Sequence, residues 1–229
     1  MIKRSYGFRL LPLLTGIILP RHNVNAQVVT AHTVLAMPTS SVRFDDTVER
    51  SDGYWAGLEL ELRAGLFTLT GSGTRGELTP TVNPLLDRNV GELRLAGRYD
   101  VLSWLGAEAR YVVRASSSLT GHQRWEFYSL GARVLRDLGA PGLSGSAALA
   151  YSPTVRVSGL EDPRYAVSAD AGIAFAPERS PLTVRLSYRI ERFRFPSTTA
   201  RSEQFEALTL AVGLRARRQH GRWALGGAP

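Results

Sequence analysis

No cysteine occurs in the 229 residues, which excludes structural disulfides, iron–sulfur clusters and thiolate zinc sites. Long hydrophobic runs are also missing. The apolar stretch at residues 10–19 (LLPLLTGIIL) is only about half the roughly 20 residues that a membrane-spanning helix needs. Nowhere do basic residues gather into a patch or a helical stripe; the arginines are spread along the chain and interleaved with acids, so a nucleic-acid partner is not expected. Histidine is scarce: beyond residue 26 the chain keeps His32, His122 and His220.

What is present argues for a single all-β domain. The composition is 44% hydrophobic and 21% charged, with 22 Gly and 12 Pro, which is too apolar for wholesale disorder and rich in turn formers. Residues 1–26 combine Lys3, Arg4 and Arg9, the apolar run and a small residue at Ala26. This is the three-part layout of a secretory signal peptide. Removing it takes away four basic residues and no acid, so the formal charge falls from +8 to +4.

From Tyr54 onward the sequence alternates between apolar and polar residues with period two, over 58–66, 92–99, 105–114, 127–135, 143–151, 165–175, 182–191 and 205–215. Each segment approaches the 9–11 residues of a tilted strand that crosses a bilayer. Short turns with Asp, Gly or Pro join strands near 99–104, 136–142 and 176–181, while longer polar connections fall at 70–90, 115–124, 152–164 and 192–204. The expected fold is an eight-stranded antiparallel up-and-down transmembrane β-barrel over 53–215, with short periplasmic turns and longer outer loops. Residues 27–52, which lack clear periodicity, are expected as a periplasmic N-terminal arm, and 216–229 as a C-terminal tail.

Residue size orients the strands. One face carries large apolar residues, among them Leu58, Leu60, Leu93, Leu95, Leu130, Leu149, Leu186 and Leu210. The other carries Glu59, Glu61, Arg63, Glu92, Arg94, Arg98, Glu108, Arg110, Arg114, Arg133, Asp170, Arg185, Arg189 and Glu191, together with Ser144, Ser146, Ala148, Ala150, Gly172, Ala207, Ala211 and Gly213. Long charges on some strands and almost no bulk on others suit a narrow lumen filled by side chains. Buried charges need partners, so these residues are expected to form a lumen charge network. Two registers pair the 92–114 hairpin with opposite signs: Arg94 against Glu108 with Glu92 against Arg110, or Arg98 against Glu108 with Glu92 against Arg114. Asp170 is expected opposite Arg185. Aromatic residues are expected in two interfacial belts, Trp55, Tyr99, Trp104 and Phe175 near the short turns and Phe67, Trp125, Phe127, Tyr151, Tyr165, Phe193 and Phe205 near the loops.

In pattern the chain resembles the small outer-membrane barrel families typified by the OmpA transmembrane domain and OmpX, over about residues 54–215. That resemblance implies residence in the bacterial outer membrane among its lipids, insertion by the barrel-assembly machinery, and a monomer. One departure is that the last alternating segment runs through Leu214 with further residues after it.

No catalytic, metal or cofactor site is expected. His32 falls in the arm, His122 in a loop near Ser116, Ser117 and Ser118, and His220 in the tail, so no expected strand carries a histidine base. Glu59 and Glu61 share a face as an acid–base pair might, but Arg63, Arg94 and Arg98 explain them as ion-pair partners. Asp45-Asp46 and Glu161-Asp162 lack calcium-loop spacing, and Gly71-Ser72-Gly73 lacks the Lys-Ser/Thr of a phosphate loop. The leading expectation is a non-enzymatic outer-membrane barrel with a charge-filled lumen and outward loops for envelope or partner contacts. Its alternatives are a narrow porin-like channel and a secreted lipocalin-like barrel that binds an apolar ligand.

Overall fold

The computed structural model describes residues 27–82, 87–118, 121–196, 201–219 and 222–225; the expected signal peptide lies outside them. Ten antiparallel strands follow one another round the sheet: β1 (Gln27–Phe44), β2 (Thr47–Ala64), β3 (Phe67–Pro80), β4 (Arg88–Leu102), β5 (Leu105–Ser118), β6 (Gly121–Asp137), β7 (Leu143–Val157), β8 (Tyr165–Phe175), β9 (Leu182–Arg194) and β10 (Arg201–Gln219). β1 pairs with β10 from Val28↔Arg217 to Phe44↔Arg201, which closes the barrel and removes the open edges a flat sheet would leave. A short β11 (Arg222–Leu225) pairs with the end of β10.

The barrel is closed and up-and-down as expected, but among the described residues ten strands close it, not eight. The two additional strands are β1, with the first part of β2, and β3. Residues 27–52 are therefore barrel wall and not an arm, because their inward residues, Thr30, His32, Val34 and Ala36, differ little in polarity from the outward Ala31, Thr33, Leu35 and Met37. Without contrast between faces, alternation cannot be seen. β3 (FTLTGSGTRGELTP) has the composition of a loop, and its low β-propensity is overridden by full pairing with β2 and β4. Residues 216–219 extend β10 and 222–225 form β11, so the expected tail is largely strand as well.

The expected long outer loops shrink in the same way. β3, β5, β7 and β9 run on to Pro80, Ser118, Val157 and Arg194, and β1 and β2 are joined through residues 45–46 alone, where Asp45 takes a positive φ of 48°. At the other end, Gly65 supplies the positive φ of the β2–β3 turn. One interruption has a chemical cause. The β1–β2 ladder skips from Ala36↔Trp55 to Thr39↔Asp52, and Pro38, which has no amide hydrogen to donate, lies in the gap.

Along several strands the hydrophobic phase inverts. On β9 the outward residues run Leu182, Val184, Leu186, Tyr188, Ile190 and then Arg192, Arg194, while the inward ones run Thr183, Arg185, Ser187, Arg189, Glu191 and then Phe193, Phe195. β6 does the same from its other end: Arg124 and Glu126 face out beside inward Trp125 and Phe127, whereas Tyr128, Leu130 and Val134 face out beside inward Ser129 and Arg133. The barrel thus has an apolar outer wall over its turn-side part and a polar outer wall with an apolar interior at its loop end.

Candidate functional site

The lumen holds the chemistry of the molecule, in tiers. At the turn end, Asp100 of β4 receives Arg98 Nε at 2.8 Å and lies 3.6 Å from Arg63, while Arg98 also donates to Thr68 Oγ1 at 3.1 Å. Arg63 is the most open of the expected network, at the rim. Against the β9–β10–β1 wall, Arg185 donates to both oxygens of Glu59 at 2.7 and 2.8 Å. Glu59 also faces His32 Nδ1 at 3.4 Å, and His32 Nε2 meets Thr183 Oγ1 at 3.0 Å. Gly213 of β10 makes that crossing feasible, since a Cβ there would lie 2.4 Å from His32 Cδ2.

Next, Glu108 and Asp170 are clamped by Arg110 and Arg133. Arg133 Nε donates to Glu108 at 2.7 Å and its Nη2 lies 2.8 Å from Asp170, while Arg110 reaches Asp170 at 2.6 Å and also bonds Glu108. The deepest tier joins β4 to β9 across the barrel. Arg114 Nη2 donates to Glu92 and to Glu191, both at 2.6 Å; Arg94 donates to Glu191 and Arg189 to Glu92, each at 3.0 Å. Three cations around two acids leave one positive charge, and the face of Phe205 lies 3.6 Å from the Arg114 guanidinium, an arrangement that attracts a cation to the negative face of the ring.

Above this tier the interior is aromatic. Trp55 stacks on Phe205 at 5.3 Å between centroids, Trp125 packs on Phe193 at 4.8 Å, and Phe127 meets Phe193 edge-on at 5.5 Å. Val90, Val155 and Val157 complete the layer, and Val112, one pleat to the turn side of Arg114 on β5, packs in the same cluster. Trp55, Trp125, Phe127, Phe193 and Phe205 therefore do not belong to interfacial belts. They point inward, because at the loop end the interior is the only dry place available to them. The outward aromatics include Phe67, Tyr99, Trp104 and Phe175 near the turns, Phe67 at the end opposite to the one expected, and Tyr54, Tyr111, Tyr128, Tyr151, Tyr165 and Tyr188 farther up, where a phenol can keep its hydroxyl in a polar layer.

Of the fourteen expected lumen residues, all face inward and thirteen join ion pairs; Glu61 faces a chamber with no ion-pair partner among the described residues. The 92–114 hairpin takes the second of the two opposite-sign registers, Glu92↔Arg114 and Arg98↔Glu108. Glu92 does bind Arg114, but Arg98 turns to Asp100. Asp170 lies opposite Arg189, not Arg185, and its ion pairs run instead across the lumen to Arg110 and Arg133, since pairing rules for neighbouring strands omit contacts through the interior. His32, expected in an arm, is a lumen residue on β1. Asp100, His32 and the aromatic layer escaped sequence reasoning; the inward parity of β4, which Asp100 shares with Arg94 and Arg98, was the available signal.

The ten-stranded interior is wide enough to leave a chamber of about 300 Å³ between the charge tiers, bounded above by Trp55, Ala36 and Ala207. Arg94 Nε, Arg189 Nε and Trp55 Nε1 have no hydrogen-bond partner among the described residues, and all three residues line it. A space of that size takes roughly ten waters, so the lumen is filled only in part by side chains. Beyond the aromatic layer there remains a pocket of about 60 Å³ near Arg88, Arg201 and Glu203. Among the described residues no group of three or more His, Asp or Glu side chains is placed to hold a metal ion. Ser117 and His122 share a rung at the exposed tip of the β5–β6 hairpin.

A closed barrel with an apolar outer wall and a charged lumen has the build of a bacterial outer-membrane β-barrel. The chain is similar in structure to the outer membrane protease OmpT from Escherichia coli, with a TM-score of 0.50 at 9% identity, over 84% of this chain and 97% of that one. The translocator domain of the autotransporter NalP from Neisseria meningitidis matches with a TM-score of 0.47 at 12% identity, over 86% of this chain and 90% of that one. Neisserial surface protein A matches with a TM-score of 0.37 at 12% identity, over 82% and 95%. The likeness to OmpT shows the fold, and the proteolysis in its name is OmpT's own. No protein-family model matches the chain, and no curated protein matches it by sequence.

Proposed function

We propose that the chain is a non-enzymatic, non-conducting barrel of the outer membrane, whose turn-side part spans the bilayer and whose loop end rises above it. The observation that carries this reading is the inversion of hydrophobic phase. Leu58, Leu93, Leu130, Leu149 and their neighbours form an exposed apolar wall far larger than the patches soluble monomers present to water. Where that wall gives way to Arg124, Glu126, Arg192 and Arg194, the interior becomes apolar, as a water-surrounded barrel requires. A secreted lipocalin-like barrel needs the opposite arrangement around the chamber, with the Leu and Val face inward.

A pore is disfavoured by the Arg114 tier and the aromatic layer, which divide the lumen between the chamber and the outer pocket. Catalysis is disfavoured because the His32–Thr183–Glu59 contact is packed into the wall: Thr183 and His32 are both buried, and Arg185 neutralises the carboxylate. Purified protein in a planar bilayer should give no steady conductance; defined single-channel steps would overturn the closed lumen. Folding should require detergent or lipid and shift the gel mobility of unboiled samples, whereas folding in plain buffer would overturn the membrane reading.

A further inference from the structure

On the outer wall, where β9 passes from Ile190 to Arg192, three arginines stand together. The register sets Arg43, Ser202 and Arg194 on one rung across β1, β10 and β9, and Ser41, Gln204 and Arg192 on the next. These six residues line a groove of about 430 Å³. Arg43, Arg192 and Arg194 are exposed, and none has an ion-pair partner among the described residues. Arg192 Nε donates to Gln204 Oε1 at 2.8 Å, which orients the guanidinium. The nearby acids are occupied: Glu203 pairs with Arg201, and Glu206 accepts from Tyr188 and Gln204. Elsewhere on the outer surface, Arg50 and Arg124 are matched by Asp52 and Glu126.

We infer that this groove binds the phosphate-bearing headgroup of a membrane lipid, with its acyl chains lying on the wall below. The inference rests on the membrane reading above and deepens it. Guanidinium forks match phosphate oxygens in charge and geometry. Hydroxyls of Ser41 and Ser202 add donors without adding charge. The rung beneath sets Thr39, Glu206 and Ile190 side by side, the Glu206 carboxylate being held by Tyr188 and Gln204, and the next, Met37, Leu208 and Tyr188, is the upper edge of the apolar wall, so one molecule can satisfy both parts. A free phosphate would use only the arginines, and nothing would then account for their position at the edge of the wall.

Native mass spectrometry of the full chain folded in neutral detergent, titrated with phosphatidic acid, phosphatidylcholine or inorganic phosphate, tests this. Phosphatidic acid should be retained at concentrations about tenfold lower than phosphatidylcholine. The triple variant R43Q/R192Q/R194Q should lose that preference, while R75Q, an outward arginine on β3 away from the groove, should keep it. Equal retention of the two lipids by the unaltered protein, an unchanged preference in the triple variant, or the same loss in R75Q would overturn the proposal. Inorganic phosphate held as tightly as phosphatidic acid would overturn it too. Should the triple variant fail to fold, R192Q alone, expected to lose about threefold, decides. Folding without detergent would instead sink the membrane reading, so the two failures are distinguishable.

Discussion

The two parts of the lumen are built by the same strands and held by different forces. β2 contributes Glu59 to the charge tiers and Trp55 to the aromatic layer; β5 contributes Arg110 and Val112; β9 contributes Arg189 and Phe193. Below, every buried arginine must find an acid, and Glu92 alone answers Arg114 and Arg189 and lies 3.5 Å from Arg94. Above, the layer needs only to be apolar and well packed. On the membrane reading proposed above, the difference follows the solvent outside: where lipid takes the large apolar residues, the interior is left to polar ones, and where water surrounds the wall, they return to the centre.

Breaking the lower part should have the larger effect. Glu92→Ala strands Arg114 and Arg189 beside Arg94 with Glu191 as their remaining shared acid, and removing one partner of a buried ionic network costs about 3–5 kcal/mol. Urea unfolding in lipid vesicles, followed by gel mobility, should show that loss. A change under about 1 kcal/mol would mean that the tier is hydrated, and the reading of a tightly closed lumen would fail with it.

Phe193→Ala strikes the upper part. The ring touches both Trp125 and Phe127, and deleting a buried phenyl costs about 3 kcal/mol or more in a core that cannot collapse. Next to the outer pocket some relaxation is expected, so the effect should be the smaller of the two in the same urea assay. A larger loss than for Glu92→Ala would reverse the ranking and make the aromatic layer the principal clamp.

The sequence exposed these two parts unequally, and the phase inversion is the reason. Around Arg94, Arg110, Arg133, Arg185 and Arg189, strong charge alternates with Leu, Val, Ala and Tyr, so inward parity could be read directly and every residue assigned by it does point inward. In WEFY of β6 (125–128) both faces carry a large side chain, and in TVLA of β1 (33–36) neither face is charged, so period two gives no orientation. β3 failed for another cause: its Gly and Ser residues suit close packing between β2 and β4, a property of the closed sheet and not of the segment. The missing strands in turn explain the excess room. Eight strands would leave almost no space, and ten leave the chamber.

Glu61 gives the finest comparison. It shares the inward face of β2 with Glu59, one pleat away, and lies on the same rung as Thr30 of β1 and Thr70 of β3. Glu59 has Arg185 and His32, whereas Glu61 faces the chamber without an ion pair among the described residues. If chamber water carries its charge, then Glu61→Gln exchanges one hydrated group for another of the same shape and should alter stability by no more than about 0.5 kcal/mol. Glu59→Gln should cost several times that, because Arg185 then loses the only acid it contacts among the described residues. Equal losses in the two variants would show that Glu61 is held as tightly as the paired acids, and that the chamber beside it is not filled with water.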